Sequence, residues 1–132
     1  MVNKIRAYID HEFAGVPEGK KVNELKEELT ANLIEKYNIL YFEECTIPSP
    51  ELTKYVSDRI NIPLAGGERI YTRWQFRPYF ENASLQVIQP DIGNCAGLTE
   101  VRKICDMAHA YDISVQPHTC ASPLSTSLAL HL

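Results

Sequence analysis

A basic excess is missing from this sequence: 13 Lys+Arg stand against 17 Asp+Glu, for a net charge of −4 over 132 residues. Non-specific nucleic-acid binding draws its affinity from a cationic face, so nucleic acid is not an expected partner. Long hydrophobic runs are missing too. None approaches the roughly 18–20 apolar residues that cross a bilayer, and no membrane span is expected. The opening MVNKIRAYIDHEF is charged too early and too often for a secretory leader, so the expected compartment is the cytoplasm. Cysteine is sparse, with Cys45, Cys95, Cys105 and Cys120 alone. No CxxC pair occurs and no Cys/His spacing has the form of a zinc site, so reduced thiols are expected. What remains is an ordinary globular composition, 45% hydrophobic and 23% charged. It excludes collagen-like and low-complexity chains and suits one small domain, with or without an appendage.

Two stretches differ in character. Residues 1–38 read as a helical hairpin prefix. Ile5, Ile9 and Phe13 recur every four residues, Gly15 to Gly19 break the pattern, and Val22, Leu25, Leu29 and Leu33 resume it. Six Lys+Arg against seven Asp+Glu in this stretch make it no basic arm. Helices this short bury little alone, so their apolar stripe needs a surface to pack on.

From Ile39 onward, short apolar runs alternate with amphipathic segments. Strands are expected at 39–42, 62–65, 85–88 and 113–115. Helices are expected at 52–60, 74–83 and 99–111, and from about Ser125. Val101, Ile104, Cys105 and Ala108 line one face of the third helix. The aromatic group Trp74, Phe76, Tyr79 and Phe80 reads as core, and His11, His109 and His131 read as helix-surface residues. Four successive strand–helix units call for an α/β fold with a parallel sheet.

Each expected strand finishes on a polar group: Glu43-Glu44, Glu68, Asp91 and His118, about one strand–helix unit apart. A parallel sheet puts all its strand C-termini on one edge, the edge where barrels and doubly wound folds place their chemistry. Carboxylates from adjacent strands suit a hard cation such as Mg²⁺. An Asp beside a His orients the imidazole as a general base. A lone carboxylate after a strand is more often a helix cap or a solvated loop residue; four in succession on one edge favour function. Glu44, next to Glu43, is kept as a second-rank candidate whose other reading is solvation of the loop. Gly66-Gly67 lacks the Lys-Ser/Thr of a phosphate loop and reads as close backbone approach.

These residues carry a family resemblance. YFEE (41–44), IPLAGGE (62–68), QPDIGNCAGLTEVRKICDMAHAYDI (89–113), VQPHT (115–119) and SPLSTSLALHL (122–132) resemble the C-terminal barrel of the enolase superfamily. The resemblance is to the mandelate racemase and muconate-lactonizing branch, and within it to acid-sugar dehydratases of the galactonate or gluconate type. It implies that residues 39–132 form about half of a (β/α) barrel. It implies Glu43 and Glu68 as Mg²⁺ ligands, Asp91 and His118 as a dyad, and His118 as base or acid at the carbon next to a carboxylate. The implied reaction is hydro-lyase chemistry on an aldonate, with loss of the 3-hydroxyl giving a 2-keto-3-deoxy acid.

The wording also departs from the family. Its first three barrel strands, third carboxylate ligand, eighth strand and capping domain have no counterpart here, so the isolated monomer is expected to have little or no activity. Cys45 stands where the family has Pro, and Ala96 where it often has Gly. Residues 1–38 instead resemble a helical prefix of bacterial permeases, with a join near Asn38–Ile39. The alternative reading is a non-catalytic fusion or remnant, with the hairpin as its interaction element. Four strands leave two open sheet edges, which a homodimer can close.

Overall fold

The computed structural model describes residues 30–132, and most of the expected hairpin lies outside the described residues. Within them the chain forms four β/α units. The strands are β1 (Phe42–Glu43), β2 (Leu64–Gly66), β3 (Val87–Ile88) and β4 (Ser114–Val115). The helices that follow them are α1 (Pro50–Ser57), α2 (Arg73–Glu81), α3 (Leu98–Ala110) and α4 (Pro123–Ala129). A helical segment at 30–35 precedes β1.

Local chemistry sets the helix starts. Ser49, Thr72 and Ser122 each accept a hydrogen bond from a first-turn N–H, those of Leu52, Gln75 and Ser125, so orphan donors are satisfied. Pro50 and Pro123 open α1 and α4, where a missing N–H costs nothing. Helix α3 begins differently. Its N-cap, Gly97, has φ +94° and offers no side chain, and Ala96 before it sits at φ +57°.

The sheet is fully parallel in the order β1-β2-β3-β4, with Phe42 opposite Leu64, Ala65 opposite Val87 and Ile88 opposite Val115. Each expected strand is found, but the ladders are two or three residues long and sit toward the C-terminal end of each apolar run. The expected strand at 39–42 is paired only from Phe42. Asn38, at φ +49°, closes the preceding helical segment and turns the chain immediately before it.

Helical spacing decides what is buried. In α3, Val101, Ile104, Cys105 and Ala108 are all buried, as their i, i+3, i+4, i+7 spacing requires. In α2, Phe76, Tyr79 and Phe80 are buried, but Trp74 is 68% exposed. Trp74 therefore does not belong to the core. It lies two positions before Phe76, about 200° around the helix, and so faces away. The core joins these residues to Val56, Leu64 and Ile88. Ala31 is part of it, Ile34 and Ile39 pack against it, and the Asn61 N–H donates to Glu35 Oε1 at 3.0 Å. The described end of the prefix is thus seated on the same core as the strands.

Two glycines end β2 for steric reasons. A Cβ on Gly67, whose φ is +140°, would stand 2.9 Å from a Phe76 ring carbon and 3.0 Å from the Gln89 backbone nitrogen. The expected close backbone approach is what this strand end uses.

Candidate active site

The C-terminal ends of β2, β3 and β4 converge on one histidine. Beyond the regular ladder, Asp91 and His118 form a further parallel bridge, and the His118 N–H donates to the Pro90 carbonyl at 3.2 Å. Extending both strands this way sets the two side chains side by side. Asp91 Oδ2 lies 2.8 Å from His118 Nδ1. Asp91 Oδ1 accepts from the N–H groups of Gly93 at 2.7 Å and Asn94 at 3.2 Å. The carboxylate is 2% exposed. Burial alone would raise its pKa, but hydrogen bonds from His118, Asn94 and Gly93 outweigh it and hold the group below its ordinary value.

The other ring nitrogen is also occupied. His118 Nε2 lies 3.0 Å from Glu68 Oε2. Asn94 Nδ2 donates to the Glu68 carbonyl at 2.9 Å, tying the loop after β2 to the loop after β3. With both ring nitrogens protonated, His118 donates to two carboxylates. The neutral ring donates to one and leaves the other nitrogen as an acceptor, the state a general base requires.

The two glutamates after β1 part company. The Glu43 carboxylate is exposed, with no hydrogen bond or ion pair among the described residues. Glu44, in the left-handed region at φ +47°, accepts from the Gly67 N–H at 2.8 Å and from Arg69 Nε at 2.9 Å. Glu44 is a clasp between the ends of β1 and β2. Of the four sequence-predicted residues, Glu68 and Asp91 each contact His118, and Glu43 makes no hydrogen bond or ion pair with them.

Two features of the edge escaped the sequence reading. Cys120 is exposed, yet one donor atom each from Asp91, His118 and Cys120 lie within 4.8 Å of one another. A zinc-type spacing rule misses this group because Asp91 comes from a different strand. Gln89, 6% exposed, has its Oε1 buried without a hydrogen-bond partner among the described residues. Only its place two residues before Asp91 signalled it. The remaining thiols are buried. Burial pushes Cys95 up to about 11, with its Sγ–H donating to the Ile70 carbonyl, and burial raises Cys105 also. Among the described residues no helix is long and apolar enough to cross a membrane.

A run of parallel β/α units with a carboxylate–imidazole–carboxylate chain on its C-terminal edge has the form of a segment of a (β/α) barrel. The family model for Enolase C-terminal domain-like proteins matches residues 21–132, and the chain belongs to that family. The match begins inside the stretch read as a prefix. Among solved structures, a member of the enolase superfamily from Salmonella Typhimurium is 54% identical, with a TM-score of 0.80 over 82% of this chain and 28% of its own. A protein from Zymomonas mobilis ZM4 with the provisional name dehydratase is 44% identical, with a TM-score of 0.79 over 82% of this chain and 28% of its own. The 3,6-anhydro-D-galactonate cycloisomerase from Zobellia galactanivorans is 33% identical, with a TM-score of 0.78 over 82% of this chain and 31% of its own. The chain thus spans less than a third of the length of these relatives.

Proposed function

We propose that this chain carries the proton-transfer face of a Mg²⁺-dependent acid-sugar dehydratase. The observation that carries the reading is the chain of contacts Glu68–His118–Asp91, built from three adjacent strand ends. The donor chemistry also fits a hard divalent cation: Glu43 is exposed and unengaged among the described residues, and the Glu68 side chain is 33% exposed at the next strand end. Glu43 and Glu68 would hold Mg²⁺, which when bound supplies positive charge where the ionising carbon acid builds negative charge.

The protein's own residues do the rest. Asp91, fixed by two backbone N–H groups, holds the imidazole through Nδ1 and fixes its orientation and tautomer. Once Nε2 has given its proton to solvent and its contact with Glu68 has opened, that nitrogen becomes the acceptor for a proton from the carbon next to the substrate carboxylate. Departure of the 3-hydroxyl then gives an enol that tautomerises to a 2-keto-3-deoxy acid. A donor to the departing hydroxyl is not among the described site residues, so the monomer by itself is expected to be nearly inactive.

The partners follow from the edges. Among the described residues, β1 and β4 each leave one side unpaired, and four parallel units are half of an eight-stranded barrel. Two copies pairing β1 with β4 would close the ring and shield both edges. The alternative of a non-catalytic chain with a free interacting prefix is less well supported, since Ala31 is fully buried in this chain's own core. The test is a panel of aldonic acids assayed with Mg²⁺ for 2-keto-3-deoxy acid, on fractions of measured mass. Product is expected from a dimer fraction and not from a monomer. Product formed equally by a monomer, or without a divalent cation, would refute the reading.

A further inference from the structure

Asp91, His118 and Cys120 bring three different donors to one point: a carboxylate, an imidazole and a thiol, with donor atoms all within 4.8 Å. Such a set is a poor match for Mg²⁺, which takes oxygen ligands. It matches Zn²⁺, which binds thiolate, imidazole and carboxylate at about 2.0–2.3 Å in tetrahedral geometry. Bonds of that length put neighbouring donors somewhat closer than 4.8 Å, and Cys120, being exposed, is the donor least constrained by packing against a move inward. Asp91 is held by the Gly93 and Asn94 N–H groups through Oδ1, so Oδ2, now bonded to the His118 ring, is presented in a fixed direction. One ligand is thus rigid, one is half-buried and one is adjustable.

We propose that Asp91, His118 and Cys120 form a binding site for Zn²⁺, distinct in donor chemistry from the carboxylate pair Glu43 and Glu68. On binding, Asp91 Oδ2 exchanges its hydrogen bond with His118 Nδ1 for a bond to zinc, the Cys120 thiol proton leaves to solvent as the sulfur–zinc bond forms, and water completes the tetrahedron. No redox step is involved. The coordination stands on the three side chains alone. Its consequence, that zinc removes His118 from proton transfer and so switches the site off, rests on the function proposed above.

The test uses the full chain, freshly reduced, with Zn²⁺ alone and with Co²⁺ as a spectroscopic stand-in. One Zn²⁺ per chain is expected, undisturbed by a large excess of Mg²⁺. Co²⁺ is expected to give a thiolate-to-metal charge-transfer band with the visible absorption of four-coordination. Cys120→Ser should abolish that band and weaken Zn²⁺ at least about tenfold, and Asp91→Asn should weaken it by a similar factor. Glu43→Gln should leave Zn²⁺ affinity unchanged, and circular dichroism establishes that each variant is folded. The site is refuted by absence of stoichiometric zinc, by a cobalt spectrum without the thiolate band, or by Cys120→Ser binding as tightly as the parent. A Glu43→Gln loss as large as that of Cys120→Ser would place the ion on the carboxylates and refute it equally. None of these readouts depends on turnover, so the zinc site and the dehydratase reading can fail separately.

Discussion

Asp91 commits both carboxylate oxygens, one to the His118 ring and the other to two backbone N–H groups. Its pKa is held below the ordinary value of 3.8, so its bonds contribute full stability above that value. That contribution is lost as pH falls through the lowered native pKa, where the folded protein must take up the proton. Asp91→Asn is therefore expected to cost about 1–3 kcal/mol near neutral pH, by weakening charge-assisted hydrogen bonds. The gap between parent and variant should narrow progressively below about pH 4. Urea unfolding across that range measures it, and a gap independent of pH would contradict the account. At this scale Asp91, His118 and Glu68 were legible in the sequence, because each ends a strand and spacing alone puts them on one edge. The preference for Glu43 over Glu44 was legible, but what engages Glu44 was not. The positive φ of Glu44, and the reach of Arg69 toward it, follow only from the folded backbone. Cys120 was hidden for a related reason: its neighbour Asp91 lies 29 positions away and meets it only through the β3–β4 bridge.

The elements were legible in kind because two periodicities alternate along the chain, and the apolar positions of α3 were legible residue by residue. Strand lengths were not, since an apolar run says where a strand can lie and not how many of its residues pair. The loop into α3 carries a local flaw, one of two alanines in the left-handed region, the other being Ala83 at φ +52°. Ala96 stands at φ +57°, a conformation that costs a residue with a Cβ and suits glycine. Ala96→Gly is expected to stabilise the fold by up to about 1 kcal/mol, because the strain relieved exceeds the added freedom of the unfolded chain. A thermal melt is the check, and a lower melting temperature would contradict it. Alanine at this point weakens the start of the helix behind Asp91 without displacing the carboxylate.

At the scale of the whole molecule the described residues form one sheet with two outer strands, β1 and β4. The likeness to enolase-superfamily structures extends over 82% of this chain and about 28% of its 54%-identical relative. The sequence made the half-barrel readable through its motifs, but sheet edges are satisfied by whatever lies beside them, and no pattern within four β/α units names that neighbour. Closure by a second copy would place two sets of Glu68, Asp91 and His118 around one mouth. Water exclusion, which strengthens every charge interaction in such a site, would then become possible. The central claim is that His118 moves the proton next to a substrate carboxylate. Its most direct test is deuterium incorporation from D₂O with Mg²⁺, read at C2 of recovered aldonic acid and at C3 of any 2-keto-3-deoxy acid formed, on the dimer fraction and on the same fraction of His118→Ala. Deuterium at either position with the parent chain and none above background with His118→Ala is the predicted result. Equal exchange by both proteins, or none with the parent, would contradict it.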